Sequence, residues 1–172
     1  ASERVPIVPM HTQRSTPFVA AARRAVAEGW IGRPLISYHQ KSYKWGSDRP
    51  DWFRDRRWFP GIAPYIGIHA IDWIVWILGG DWATISGWEH AARSDFPACA
   101  SHAGYLLVGE DGAIAHLSLD YLRPAGAPSH GDERIRIAGS EGVVEAAAHA
   151  GVNALLRGER PPEPLPAVSA WH

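Results

Sequence analysis

The stretch that decides the fold is Gly61-Ile-Ala-Pro-Tyr-Ile-Gly-Ile-His-Ala-Ile-Asp-Trp-Ile-Val-Trp-Ile-Leu-Gly-Gly80. Its length and apolar content predict a single helix, in which His69 and Asp72 are three residues apart and share a face. Most of the other side chains in its second half are large and apolar. Because buried polar groups cost free energy unless they are paired or functional, an imidazole and a carboxylate on this helix mark a candidate site.

The composition limits what the chain does. Its 172 residues suffice for one domain with a hydrophobic core, and a formal net charge of −1 argues against a nucleic-acid or membrane-surface protein. Cys99 is the only cysteine, so no disulfide forms within the chain and no zinc site is built on thiolates. No apolar run reaches the roughly 20 residues of a membrane helix. The first residues lack the pattern of a signal peptide, so we expect a cytoplasmic protein.

The remaining sequence predicts one more helix and a series of strands. Thr16 and Pro17 supply an N-cap and a first-turn proline, and Gly29 ends the predicted helix. From Leu35 to Trp45 the side chains of both strand faces are partly polar, which predicts a strand with at least one face against a cleft or a partner. Further strands are predicted at 5–10, 82–93, 101–108, 113–122, 133–138 and 143–147.

The order of these elements predicts the fold class. A helix, a strand, a second helix and a run of strands indicate an α+β domain, with a large, mostly antiparallel β-sheet and the helices packed on one face. The other face of the sheet is then left open. Because an open apolar face is unfavourable in water, we expect a second copy of the chain to cover it, which gives a homo-oligomer.

Four short motifs follow one another along the chain. A polar-Arg-x-x-Pro stretch ends at Pro17, a G-x-I-G-x-P turn covers 29–34, and an I-x-G-x-x-G hairpin covers 137–142. Between them, the helix has a G-x-H-x-x-D pattern at Gly67, His69 and Asp72. In this order the motifs resemble the C-terminal domain of the glucose–fructose oxidoreductase / inositol dehydrogenase (Gfo/Idh/MocA-like) family. The resemblance covers about residues 4 to 147.

That resemblance implies a division of the chain and a chemistry. Residues 1–14 are expected to contain the last strand of a nucleotide-binding domain, 15–157 a substrate-binding and oligomerisation domain, and 158–172 an irregular tail. The family implies hydride transfer from a sugar, polyol or related hydroxy compound to NAD or NADP, held by the nucleotide-binding half. The chain has no Gly-x-Gly-x-x-Gly motif and no Glu-Lys-Pro segment. We therefore expect this half to be missing and the isolated chain to be inactive.

The resemblance also implies roles for single residues. His69 is the expected base for the hydroxyl proton, since imidazole titrates near neutral pH. Tyr65 stands where the family has its catalytic Asp; a phenol has a much higher pKa than a carboxyl group, so the proton relay is altered or the chemistry is lost. About one helical turn apart, Tyr65, His69 and Asp72 are expected to form a polar row. Asp72 is expected either to orient the imidazole of His69 or to hold a substrate hydroxyl. The expected substrate contacts are Asp72, Lys41, Tyr121, Arg57 and Trp58.

Structural alternatives stay open for these residues. His69 is then a core residue with a satisfied hydrogen bond, and Asp72 caps a strand or pairs with an arginine. Tyr65 then only packs, and Lys41 is a solvated strand residue. The charged run from Arg54 to Arg57 is then a solvated or ion-paired loop.

Other functional classes compete with the oxidoreductase interpretation. A sugar-binding or dimerisation module without chemistry is the second hypothesis, and Tyr65 in place of the family Asp favours it. A metal-dependent enzyme is the third, but no pair of histidines has a recognised ligand spacing such as H-E-x-x-H, so we predict no metal site. A Ser-His-Asp hydrolase ranks below the metal-dependent enzyme, because the chain has no G-x-S-x-G motif.

Overall fold

The computed structural model describes residues 5–6, 8–46, 48–92, 100–149 and 153–166. Within these residues lie two α-helices, Pro17–Ala27 (α1) and Ile68–Leu78 (α2). Shorter helical turns are Thr12–Ser15 and Asp51–Arg54, both 3₁₀, and Ala63–Gly67, which is a π-helix. The strands are Pro34–Lys44 (β1), Trp82–His90 (β2), His102–Gly109 (β3), Ile114–Arg123 (β4), Gly131–Gly139 (β5), Val143–Ala147 (β6), Ala154–Leu156 (β7) and Glu163–Pro164 (β8).

The strands form one open sheet in the order β2-β3-β4-β1-β5-β6-β7-β8. Every neighbouring pair is antiparallel except β1 and β4, which run parallel. The two helices pack on each other through Phe18 and Trp73, whose ring centroids are 5.4 Å apart. Trp73 also lies over the sheet, with its ring centroid 4.6 Å from Lys41 Nζ in β1. The predicted α+β class, with a large, mostly antiparallel open sheet, is therefore confirmed.

The core lies between the helices and one face of the sheet. In β1 the side chains of Ser37, His39 and Lys41 are buried, whereas Tyr38 between them is 45% exposed. On the same face β4 and β5 contribute aliphatic side chains, which are Ala115, Leu117, Leu119, Ile135 and Ile137. The helices therefore bury one of the two partly polar faces of β1.

His39 shows what this core does to a polar side chain. Its Nε2 atom lies 3.1 Å from the Ser37 hydroxyl. Burial lowers the pKa of His39 to about 3, because the charged form loses its hydration, so the ring is neutral at physiological pH. His39 is thus a structural histidine of the core.

The helix of the opening stretch differs from its prediction at the N-terminal end. Ala63–Gly67 form a π-helical turn, and the α-helix begins only at Ile68. Gly67 lies where this turn meets β4, since a Cβ atom there would lie 2.5 Å from a methyl carbon of Leu119. The α-helix ends before Gly79, whose φ of 66° is a left-handed conformation that glycine adopts without strain. The wider turn changes the angle between the side chains on either side of it.

The strand predicted over residues 5–10 is wrong for the part that the structure describes. Residues 5–6 and 8–10 are irregular, and Val5, Val8 and Met10 are 74%, 80% and 77% exposed. The two prolines among them have no N–H to donate to a strand ladder. No strand of the described residues pairs with this segment.

Part of the tail that was predicted to be irregular joins the sheet. The short strands β7 and β8 pair with each other, and Leu155 and Leu165 are buried. At the other sheet edge, β2 ends at His90, while its predicted end at residue 93 lies outside the described residues. A search of the described residues finds no membrane-spanning helix, since none combines the required length with the required hydropathy.

Candidate functional site

Polar side chains from four elements meet beside the first turns of α2. Before α1, the Thr16 hydroxyl donates a hydrogen bond of 2.6 Å to the carbonyl of Gln13, and Pro17 then starts the helix. This closes the 3₁₀ turn, which directs its side chains toward α2 and β1. We call the resulting set the polar cluster; it consists of His11, Gln13, Arg14, Lys41, Tyr43, His69, Asp72 and Glu133.

Asp72 is held by an arginine. Arg14 donates two hydrogen bonds to its carboxylate, of 2.8 Å from Nε and 2.5 Å from Nη2. The hydrogen bond and the charge of Asp72 raise the pKa of Arg14 above its usual value. The guanidinium also lies 5.4 Å from the ring centroid of Trp76, which limits its movement. Of the alternatives that the sequence leaves open for Asp72, the structure has the pairing with an arginine.

Lys41 and Glu133 form the second ion pair of the polar cluster. They are directly opposite each other in the register of β1 and β5. Lys41 Nζ donates to Glu133 Oε1 at 3.1 Å and to Gln13 Oε1 at 2.8 Å. The Lys41 side chain is only 1% exposed, so it is not the solvated strand residue that the sequence allows. Burial lowers the pKa of Lys41, and the negative charge of Glu133 opposes that shift.

Glu133 remains a carboxylate in spite of its surroundings. Burial alone would raise its pKa, but the hydrogen bond from Tyr43 and the charge of Lys41 outweigh burial and hold the pKa below its usual value. The Tyr43 hydroxyl donates to the same oxygen that accepts from Lys41. Burial and the neighbouring carboxylate raise the pKa of Tyr43, so the phenol keeps its proton. These contacts fix the position of the Lys41 ammonium group.

His69 is the group of the polar cluster that is suited to accept a proton. It is half-buried, and its Nδ1 atom is buried with no hydrogen-bond partner among the described residues. Burial, followed by the charges of Lys41 and His11, lowers the pKa of His69, while Asp72 and Glu133 partly oppose the shift. The ring is therefore neutral at pH 7 and has a nitrogen lone pair available.

Tyr65 lies in a different environment from His69 and Asp72. It is 41% exposed, and its ring packs against Phe53, Phe59 and Trp52, with centroids 5.1, 5.6 and 5.9 Å away. Because of the π-helical turn, the side chain of Tyr65 points in a different direction around the helix axis from the one that a regular α-helix would give it. The described contacts of Tyr65 are thus aromatic, and they do not include the expected polar row with His69 and Asp72.

The other predicted substrate contacts are also found outside the polar cluster. Tyr121 is buried, with Trp45 at 5.1 Å between ring centroids and the guanidinium of Arg49 at 4.7 Å. The Arg57 side chain is 83% exposed and pairs with the carboxylate of Asp55 in its own loop. Trp58 is 69% exposed. For Arg57 the structure therefore has the solvated, ion-paired loop that the sequence leaves as an alternative.

Sequence reasoning missed His11, Tyr43 and Glu133 and used Gln13 and Arg14 only as parts of a motif. A signal for Glu133 exists, because positions 131, 133, 135 and 137 share one strand face and the last two are isoleucine. A single carboxylate on such a face predicts a buried cation as its partner. Lys41 likewise lies on the buried face of its strand, β1.

A cavity of about 480 Å³ lies next to the polar cluster. Gln13 and Glu133, the two partners of Lys41, form part of its wall, and His69 does not. The rest of the wall comes from α1, the end of β6 and the tail, and includes Phe18, His149 and Leu165. Among the described residues, no group of three or more histidine, cysteine or acidic side chains is placed to hold a metal ion.

Comparison with known proteins gives a match to one family model. The model, described as the GFO/IDH/MocA C-terminal domain, matches residues 19–145 of the chain. Those residues include α1 from its third residue onward, the strands that carry Lys41 and Glu133, and α2 with His69 and Asp72. Proteins with curated descriptions give no significant match.

Solved structures share the fold over most of the chain. A Thermotoga maritima protein assigned as an oxidoreductase is 35% identical, with a TM-score of 0.84 over 92% of this chain and 48% of that one. An inositol dehydrogenase homologue from Azotobacter vinelandii, complexed with NADH and myo-inositol, is 17% identical, with a TM-score of 0.72 over 90% of this chain and 40% of that one. At that identity the second likeness shows the fold alone. The chain spans about half the length, or less, of these structures.

Proposed function

The chain belongs to the GFO/IDH/MocA oxidoreductase family, as its C-terminal domain, and we propose that it is the substrate-binding and oligomerisation half of an NAD(P)-dependent enzyme. The proposed substrate is a sugar, polyol or related hydroxy compound, which is the class of the myo-inositol bound to the Azotobacter homologue. A nucleotide-binding half, joined to this chain, holds the cofactor. A cytoplasmic location is part of the same proposal.

One observation carries this proposal. A neutral imidazole, His69, lies half-exposed among side chains whose charges are fixed by two ion pairs, Arg14–Asp72 and Lys41–Glu133. A general base must be unprotonated at the working pH and held in position by its surroundings. Both conditions are met at His69. By contrast, His39 is completely buried and cannot reach a substrate.

The residues of this chain suit the substrate side of a hydride transfer. A nicotinamide cofactor, when bound by the other half, supplies the hydride acceptor for the carbinol carbon. In this mechanism His69 takes the hydroxyl proton of that carbon, which avoids the formation of a bare oxonium or alkoxide. Burial of Lys41 and Glu133 keeps their charges in place while His69 changes its protonation state.

The test measures cofactor reduction by the intact protein, with its nucleotide-binding half attached. NAD⁺ and NADP⁺ are each offered with a panel of sugars and polyols that includes myo-inositol. We expect polyol-dependent formation of reduced cofactor by the intact protein and none by residues 1–172 alone. Turnover by residues 1–172 alone, or no turnover with any member of a broad panel, would contradict the proposal.

A binding module without chemistry is the second candidate function, and the position of Tyr65 favours it. This phenol stands at the place of the family's catalytic Asp, and its ring packs into an aromatic group instead of facing His69. The two candidates differ in a simple respect. A module binds polyols, as calorimetry would detect, with no turnover in the panel, whereas the enzyme shows both binding and turnover.

The oligomerisation half of the proposal is supported by the sheet face opposite the helices. Four large side chains on this face are exposed, which are Tyr38 at 45%, Leu106 at 37%, Trp88 at 78% and Leu122 at 57%. Exposed apolar patches of this kind favour association with a second copy.

The experiment places a charge on this face: Trp88→Glu is expected to yield a monomer in light scattering. Ile85→Glu is the matched control, because Ile85 is 65% exposed on the other face of the same strand. A wild-type monomer at micromolar concentration would refute the oligomer.

A further inference from the structure

His11 is the residue of the polar cluster to which the proposed function gives no role. It precedes the 3₁₀ turn that carries Gln13 and Arg14. Its side chain is 28% exposed, so part of the ring is open to solvent. Its Nδ1 atom is buried and makes no hydrogen bond with the described residues. A polar atom in this condition is uncommon in folded proteins and calls for an explanation.

The first part of the explanation is the carboxylate of Asp72. His11 Nδ1 lies 3.7 Å from Asp72 Oδ1, and the two hydrogen bonds from Arg14 hold that carboxylate still. The distance is too long for a hydrogen bond, but such contacts often shorten when a substrate binds. A carboxylate facing Nδ1 favours the tautomer with its proton on that nitrogen, which leaves Nε2 as an acceptor. His11 is therefore the imidazole of this site whose tautomer is set by a carboxylate, that of Asp72.

The second part is the arrangement of the two imidazoles. The rings of His11 and His69 have centroids 6.5 Å apart and planes at 88°. Each ring buries Nδ1, and neither side chain is fully covered. Two hydroxyls on neighbouring carbons, with a hydrogen bond of about 2.8 Å at each end, are long enough to connect two rings at this separation. Since each imidazole offers an acceptor nitrogen and a single hydroxyl has one O–H to donate, a monoalcohol engages one ring only.

We propose that His11 is a substrate-binding residue, which holds the hydroxyl next to the one that His69 deprotonates. This inference rests on the proposed function. The substrate class is then the vicinal diol, with one oxygen at each imidazole. Arg14 and Asp72 act through His11 as positioning residues. This assigns the Arg14–Asp72 pair to the orientation of His11, not of His69.

The test compares a diol with the corresponding monoalcohol. For the intact protein we measure kcat/KM and dissociation constants with cyclohexane-1,2-diol and with cyclohexanol. Loss of one hydrogen bond costs about tenfold in affinity, so the wild type is expected to prefer the diol by about tenfold or more. His11→Phe is expected to remove this preference by weakening the diol alone, and His11→Gln to restore part of it. His90→Phe, at an exposed edge-strand position, is the control and leaves the preference unchanged.

Two results separate this inference from the proposed function. If His11→Phe weakens diol and monoalcohol equally, or neither, the role of His11 is refuted while turnover still supports the enzyme. If no substrate turns over but the diol binds in a His11-dependent way, the enzyme is refuted and the diol site stands. Should His11→Phe fail to fold, imidazole NMR signals of the wild type decide the question. The diol must then shift the His11 and His69 signals together, and cyclohexanol must leave the His11 signal in place.

Discussion

The ion pair between Lys41 and Glu133 allows the sharpest test of how the site is built. Lys41→Met keeps an unbranched side chain that is one atom shorter and removes its charge. In the wild type the Lys41 and Glu133 side chains are 1% and 10% exposed, and the ammonium group also donates to Gln13. Among the described residues, the Tyr43 hydroxyl then remains as the side-chain donor to this buried carboxylate. We therefore expect Lys41→Met to lower the free energy of unfolding by about 3–5 kcal/mol.

The reverse substitution and the double variant complete a cycle. Glu133→Leu leaves a buried ammonium group and is expected to lose about 3–5 kcal/mol as well. In Lys41→Met/Glu133→Leu no buried charge of this pair remains, and the main loss is the hydrogen bonds that Tyr43 and Gln13 make to the pair, about 1–3 kcal/mol. The double variant is thus expected to be more stable than either single variant. The coupling energy is expected to reach at least about 2 kcal/mol.

The assay is urea unfolding followed by tryptophan fluorescence, with equal m-values as the condition for comparing the variants. Glu28→Gln is the control, because it removes the Arg24–Glu28 ion pair, whose side chains are 46% and 45% exposed, and leaves Arg24 beside the ring of Trp30. Such an exposed pair is expected to contribute less than about 0.5 kcal/mol. Additive losses in the double variant, or single losses no larger than that of the control, would refute the reasoning.

The same variants make a signed prediction about pH. The pKa of Glu133 is held below its unfolded value of 4.5, so its ionisation stabilises the fold above that pH. This contribution is lost as the pH falls through the lowered pKa. Without Lys41 the buried carboxyl group favours its neutral form, and acid then relieves the unpaired charge. The stability gap between wild type and Lys41→Met is therefore expected to narrow as the pH falls. The narrowing begins above pH 4.5, where the carboxyl group of the variant takes up its proton, and continues below it, where the wild type loses the contribution of its ion pair. A constant or widening gap would contradict the assignment.

Two further predictions concern the packing and the charges. Gly139→Ala is expected to lose about 1–3 kcal/mol or more, since a Cβ atom there would lie 2.1 Å from the Ile31 carbonyl oxygen; Gly104→Ala, with nothing within 4 Å, is the control in urea unfolding and should lose nothing of this size. Asp72→Asn is expected to lower the pKa of His69 further, because it removes a negative charge that raises this pKa. Imidazole NMR titration measures the shift, and an upward one would overturn the charge assignment.

Much of the fold is predictable because its hydrophobic periods are clear. Thr16-Pro17 and Gly29 bracket α1, and the change to a period of two after Gly80 predicts most of the sheet. The strands β7 and β8 escape prediction because three and two residues are too few to show a period. The π-helical turn also escapes it, since it depends on the approach of Gly67 to Leu119 in a distant strand.

The site is predictable only in part, because its pairs join residues far apart in the sequence. Asp72 is 58 residues from Arg14, and Lys41 is 92 residues from Glu133. A pattern reveals a charged side chain on an apolar face, but only the register of β1 and β5 decides which two such side chains meet. His11 follows a segment without any period and lies beside His69 only in the folded chain.

The most direct test of the central claim is the pH dependence of kcat/KM for the intact protein, with and without His69. The pKa of His69 lies below 6.5, and a base must be neutral, so the wild-type rate is expected to fall only as the pH drops through that lower value. His69→Ala is expected to lower kcat/KM by about 10²–10⁴-fold. The fall in kcat/KM at acid pH, here called the acid limb, is expected to disappear in this variant. A variant with nearly wild-type kcat/KM and an unchanged acid limb would show that another group takes the proton.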